Sequence, residues 1–473
     1  MFGTLVRREL LDHLLRWRFL LVFLICSAVF VFSAITFVLA HKRALEEKLS
    51  SYTGGPSRAG SQQSVRNLVS RPVGTARRPL GIEFAVNADS RYLPVYLGIQ
   101  ADGRMTTYTT ALGTDNYLLS RFEDVDWVFI VSFVLTFAVI VLCYDSVSSE
   151  IEDGTLKIVL SNSVSRSLIL WSKFAGAFCA VLVPLLTGCI ISLLIVLNSG
   201  MVAFHKGLVL QVGSVFLLSA FYLAVVTWIC IFVSAWLGRS STSLVVLLVF
   251  YVLSALVIPG LAGTLGAKLV RVDSPQEVQA KEAAIQGLPA VLFLSGVHAS
   301  RDTVDLSKMT AEEKQKYNEE QDRVRADRQR QISLYRADLE RKRVAQLGLA
   351  MRMAMLSPNG LYKYTAAALA GSGIYRYRRL RAQLNGFVIS WRDFLISQDR
   401  LDPKSKNSTD FENSNSFSST VMVPDDRLPV FEERLPSYRE ILGDALIPGS
   451  TILGISVIVF FCAFLVFARK PIH

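Results

Sequence analysis

"SSEIEDGTLKIVLSNSVSRSLILWSKF", Ser148 to Phe174, lies between two long apolar stretches. A plain loop would need only to be polar. This one has acids first, a glycine break, a short apolar run and then Ser165-Arg166. Asp145, Glu150, Glu152 and Asp153 mark emergence of the preceding apolar stretch into water. Gly154 is predicted to stop a helix by taking the left-handed conformation. Thr155 is expected to cap a new helix, leaving "LKIVL" as an amphipathic turn or two. Ser163 or Ser165 can cap the helix after it, with Arg166, Trp171 and Lys173 at the membrane surface. A short helix held between two spans is suited to transmitting force, because pushing on it tilts both.

Working outward, a helix needs about 20 apolar residues to cross the hydrocarbon core. Six stretches qualify: roughly Phe19–Ala40, Trp127–Tyr144, Phe174–Leu197, Leu208–Leu237, Leu244–Leu265 and Ala445–Phe467. None contains Asp, Glu, Lys, Arg or His. Ion-coupled carriers usually need an ionisable group in the membrane, so this composition argues against a secondary transporter. The first stretch is longer than the roughly 7–15 apolar residues of a signal peptide and reads as a retained span. Before it, Phe2, Leu5, Val6, Leu10, Leu14 and Trp17 recur at helical spacing, opposite Arg7, Arg8, Asp12 and Arg16. That pattern predicts an interfacial amphipathic helix over 1–18.

The 473-residue chain is 51% hydrophobic and 19% charged, below the roughly 25% usual in soluble domains. Its net charge of +11 fits contact with anionic headgroups better than nucleic-acid binding. All six cysteines lie in apolar stretches, and no CxxC or Cys/His cluster with zinc spacing occurs. His13, His41, His205, His298 and His473 are scattered. No GxxxxGK[ST] phosphate loop, nucleophile elbow or HExxH is present, so no catalytic residue, cofactor site or metal site is expected in this chain.

Two long polar regions, 41–126 and 266–444, separate the spans. Six crossings place both on one side, opposite the termini, and arginines before the first span favour cytoplasmic termini. The first region has a Gly/Ser/Arg-rich part over 52–79, then alternating segments "GIEFAV" and "RYLPVYLGIQ" that read as short strands. In the second, Thr310 to Leu347 has neither Gly nor Pro. Tyr317, Val324, Ile332, Tyr335 and Leu339 form a narrow seam there, predicting a long exposed helix that packs on a partner or on its own return helix. "LPAVLFLSG" at 288–296 is too short to span, and 402–425 reads as a loose loop. The fold class is therefore a polytopic α-helical membrane protein: six transmembrane helices after an interfacial helix, with one mixed α/β and one mainly helical extracytoplasmic insertion. Its parts are 1–18, span 19–40, region 41–126, span 127–144, segment 145–173, three spans over 174–265, region 266–444, span 445–467 and a cytoplasmic tail at 468–473.

The segment 150–173 resembles that following the second span in type-2 ABC exporter permeases, where a glutamate, Gly-Thr-Leu, Ser-Arg and a Lys recur. By that match Glu150, Gly154, Thr155, Leu156, Ser165, Arg166 and Lys173 are candidate ATPase-coupling residues, and Glu152 joins them as a second charge for a basic partner. Ser163 stands where the family often has proline. "SPNGLYKYTAAALAGSG" at 357–373 resembles the exterior part of a subgroup similar to gliding-motility and copper-maturation exporter permeases. The resemblance implies a transport subunit in a bacterial inner membrane that is not itself an enzyme. It implies separate ABC ATPase subunits using ATP and Mg, and a second permease as homodimer or related subunit. It leaves room for an extracytoplasmic partner protein. The rival readings are a receptor or scaffold anchored by its spans, and a membrane enzyme, which would need convergent polar groups.

Overall fold

The computed structural model describes residues 2–54, 62–76, 80–88, 96–101, 105–108, 125–156, 165–287, 310–403, 405, 419, 421–424 and 427–469. The chain forms two units, Met1–Val257 with Ser357–His473, and Ile258–Leu356. Among the described residues six helices are long and apolar enough to cross a membrane: Trp17–Lys42, Trp127–Glu152, Arg166–Asn198, Lys206–Leu237, Ser240–Leu269 and Tyr438–Arg469. They are numbered here as the first to sixth spans, and the helix Phe2–Leu15 precedes them.

In the first unit the second and fourth spans form the centre. Of their most apolar windows 67% and 61% are buried, against 17% for the fifth and sixth. Several polar side chains in this core find partners on neighbouring spans, as a dry environment favours. Trp127 Nε1 donates to Ser192 Oγ at 3.0 Å, and the Tyr222 hydroxyl lies within hydrogen-bond distance of Thr136 Oγ1, at 3.2 Å. The second span starts on Asp126, which accepts from Phe129 N at 2.7 Å and Asn87 N at 2.6 Å. It widens to a π-helix over Ile130–Leu135 and turns at 144–147, then continues as Ser148–Glu152. The sequence expectation ended it at Tyr144. The wide turn leaves two carbonyls for side chains to take: Thr136 Oγ1 donates to Val131 O at 2.8 Å, and Asn359 Nδ2 to Ser132 O at 3.1 Å.

Asn359 belongs to Pro358–Ala370, a 13-residue helix too short to span. Ser357 caps it, accepting from Gly360 N at 2.9 Å, and Gly371 ends it with φ +63°. Tyr362 stacks on Tyr222 of the fourth span with ring centroids 4.5 Å apart, and its hydroxyl meets Ser219 Oγ at 2.7 Å. This stretch therefore packs among the spans, although the sequence reading assigned it to an exterior region.

The next helix, Gly373–Asp399, carries Leu380, Leu384, Val388, Trp391 and Leu395 on one buried face. One half of it packs on Leu97, Ile99 and Phe431, the other on Val65, Leu68, Val69 and Val423. Strands β1 (Gln62–Ser64) and β5 (Met422–Pro424) pair antiparallel. Strands β2 (Val73–Ala76), β3 (Tyr96–Ile99) and β4 (Met105–Tyr108) form an antiparallel sheet in that order. "GIEFAV" is a turn and not the expected strand. Ile82, Phe84, Ala85 and Val86 are all buried, a continuous burial that a one-faced strand would not give. Arg376 binds both oxygens of Glu433 at 2.7 and 2.8 Å, and Arg379 pairs with Asp444 at the start of the sixth span.

The second unit is a helical hairpin. Ile258–Leu269 and Pro275–Gln286 run against the 44-residue helix Ala311–Ala354. Ser274 and Glu277 form a capping box. Gly266 lets the backbones close, since a Cβ there would lie 2.9 Å from Ala350 Cβ. Arg336 Nε meets Glu282 at 2.8 Å, and the Tyr335 hydroxyl donates to Asp273 at 2.7 Å. The expected seam is half realised. Ile332 and Leu339 are buried and Val324 is exposed. Residues 288–296 lie outside the described residues.

Candidate functional site

The segment after the second span is held by side chains from four other elements. Glu150, on the short helix Ser148–Glu152, meets Lys173 Nζ at 2.7 Å. Lys173 lies in the first turns of the third span, and its side chain is 3% exposed. Its second partner is Glu9 of the N-terminal helix, at 3.3 Å. An ammonium this buried needs such partners, because an isolated charge there would be strongly disfavoured. The N-terminal helix can reach because residue 176 is glycine: a Cβ there would stand 2.6 Å from Glu9 Cβ and 3.1 Å from Leu10 N. Asp145 adds a second tie, to Arg18 at 3.0 Å and Arg16 at 3.5 Å. His13 is buried beside these groups, and its pKa is lowered to about 4. Burial is the main cause, and the positive charge of Arg16 acts in the same direction.

The other predicted residues separate into roles. Glu152 is exposed and accepts from Ser240 N at 3.1 Å and Ser240 Oγ at 2.7 Å, at the start of the fifth span. Gly154 has φ +70° with nothing within 4 Å of a built Cβ, so conformation and not space demands glycine. Thr155 lies within the next helical turn and does not precede it as a cap would. Its hydroxyl donates to Glu150 O at 3.4 Å, closing the chain around Gly154. Leu156 is buried with Val147, Ile169, Trp228 and Phe467. Ser165 caps the third span, accepting from Leu168 N at 3.4 Å. Arg166 donates to Ala468 O at 2.5 Å, where the last carbonyls of the sixth span lack helical partners. Ile158, Leu160 and Ser163 lie outside the described residues.

Sequence reasoning missed three partners. Ser234 Oγ, in the fourth span, accepts from Val147 N at 3.1 Å and Ser148 N at 3.0 Å, satisfying backbone groups at the turn. Ser240 and Glu9 are the others. A serine in an apolar run carries no signal of its distant partner. Trp171, Phe174, Trp228 and Phe460 lock the third, fourth and sixth spans nearby, with Phe174 stacked on Trp228 at 4.3 Å. Among the described residues no group of three His, Cys, Asp or Glu could hold a metal ion. The arrangement is mechanical: a short charged helix tied to the N-terminal helix and to the ends of the third and fifth spans.

Six apolar spans, four of them packed around the more buried second and fourth, with this bracket at one end, make a multi-pass membrane protein. Residues 4–372 match the model of the ABC-2 family transporter protein, and the chain belongs to that family. It is a permease component of an ABC transporter, a class that works with ABC ATPase subunits. No curated protein matches it.

Proposed function

We propose that this chain is the membrane-spanning subunit of an ATP-driven exporter in a bacterial cytoplasmic membrane. ATP and Mg are bound by a separate ATPase docked on the 145–173 segment, and a second permease, identical or related, completes the path. Both termini lie in the cytoplasm, and the parts of 41–126 and 266–444 outside the spans and the helix Pro358–Ala370 face the opposite side. The observation that carries this reading is the set of ties on residues 145–152: a push there reaches the third, first and fifth spans through Glu150, Asp145 and Glu152. Thr155 and Asp153 are exposed at its tip and offer the docking surface.

A photoreactive side chain at Thr155 in native membranes should cross-link an ABC ATPase, which should also copurify and hydrolyse ATP in reconstituted vesicles. If no ATPase is captured by either route, the exporter reading fails. Sidedness is tested with Ser390→Cys in a Cys462→Ser background. Labelling of intact cells by a membrane-impermeant thiol reagent supports the assignment, and labelling only after lysis reverses it.

A further inference from the structure

We infer that Glu152 is a positioning residue that ties the coupling segment to the fifth span through the first backbone N–H of that span. The fourth span ends at Gly238 with φ +67°, and the helix Ser240–Val252 begins two residues later. The position before that helix is Arg239, whose side chain makes no capping bond. A helix start leaves its first N–H groups without partners, and Ser, Thr, Asp or Asn usually supplies the acceptor from the position just before. Here the acceptor comes from 88 residues away: Glu152 takes Ser240 N–H on one oxygen at 3.1 Å and Ser240 O–H on the other at 2.7 Å. A carboxylate at that place also meets the positive end of the helix dipole.

A buried serine set lies beside this bond. Ser148 Oγ is 3.0 Å from Ser240 Oγ, and Ser234 Oγ donates to Ser148 Oγ at 3.2 Å. The short helix thus rests on the corner between the fourth and fifth spans. The fourth span is buried and cannot easily follow it. The fifth offers its neighbours only a narrow stripe, with Ser243 and Leu247 buried while Val245 and Val249 are exposed. Of these two spans, the one less held by packing is therefore the one held by Glu152 at its end. A displacement of the short helix passes to the fifth span through this two-oxygen contact.

The inference rests on the exporter reading for its consequence, but the bond itself is measurable without an ATPase. Amide exchange over 239–247 is compared in lipid vesicles for the full chain, Glu152→Ala, Arg239→Ser, and the double variant. Glu152→Ala should speed exchange of the first turn of the fifth span about tenfold, and Arg239→Ser should restore protection by giving the helix a local cap. With the ATPase bound, permease-stimulated hydrolysis should fall at least about fivefold in Glu152→Ala and stay low in the double variant, because a local cap restores the helix and not the tie. Unchanged exchange in Glu152→Ala overturns the inference. So does full recovery of stimulation in the double variant, which would make Glu152 a cap only. If wild-type chain binds no ATPase, the exporter reading is what fails, and the exchange result still decides the bond.

Discussion

Lys173 shows how a residue named for one role can be held in another. Its family match marks it for coupling, and the fold encloses it between Glu150 and Glu9. Charge reversal at Glu150 would then set two ammonium groups side by side. Glu150→Lys should reduce the amount of folded chain, with little relief from salt, since buried charges are screened far less than exposed ones. Recovery of the variant in high salt would indicate instead a solvent-facing docking charge. The pair can also be titrated by design. Glu9→Ala with Glu150→Ala should cost about 3–5 kcal/mol of stability by stranding Lys173, and adding Lys173→Met should return most of it. Thermal unfolding in lipid nanodiscs reads both, and no recovery in the triple variant would sink the assignment of the buried charge. Gly154 poses a different question. Its φ of +70° in open space predicts that Gly154→Ala costs about 1–2 kcal/mol, and that Gly154→Asn, which tolerates the left-handed region, costs less. Equal losses for the two would point to something other than backbone conformation.

The N-terminal helix was legible as amphipathic, but its bearing was not. The apolar spacing of Leu10 and Leu14 and the opposed arginines gave the helix. The glycine in the third span that admits it, Gly176, looks like any membrane glycine until its neighbour Glu9 is placed. The same holds for Gly188, where a Cβ would collide with the Phe30 ring of the first span. Such close approaches follow from tertiary packing, which no single-chain periodicity encodes. The helix also has a pH dependence. His13 is faced by Asp12 on its own helix, by Arg16 at the bend after it, by Asp145 from the second span and by Lys173 from the third. Its folded pKa of about 4 lies below its ordinary 6.5, so the unfolded chain takes up the proton first as pH falls. The stabilisation is whole above about pH 6.5 and is lost on descending towards pH 4, by roughly 2–3 kcal/mol. Unfolding temperature should therefore fall between pH 7 and pH 5 in the native chain and fall less in His13→Gln. An identical drop in both would assign the effect to other carboxylates.

Across the whole molecule, six spans were readable because the membrane demands length and apolarity at once. The 13-residue helix Pro358–Ala370 was not, since its burial depends on Tyr222 and Ser132, which lie far away in sequence. The long helix was readable, and its seam left two occupants open, a partner or a return helix. Within the second unit, Ile258–Leu269 and Pro275–Gln286 fill that place along 328–354, where Gly287 approaches Arg328 and Gly266 approaches Ala350. Ile332 is fully buried there, flanked by the Tyr335–Asp273 hydrogen bond and the Arg336–Glu282 ion pair. Ile332→Ser replaces packed methyl groups by a hydroxyl in an apolar gap, and should cost the hairpin about 2–5 kcal/mol. Because the chain divides into two units, that loss should stay local. Exchange in the vesicle-bound chain should rise over 275–286 and 328–347 and remain unchanged over 215–235 in the fourth span, with the membrane-inserted amount preserved. Faster exchange in the fourth span as well would show that the two units unfold together.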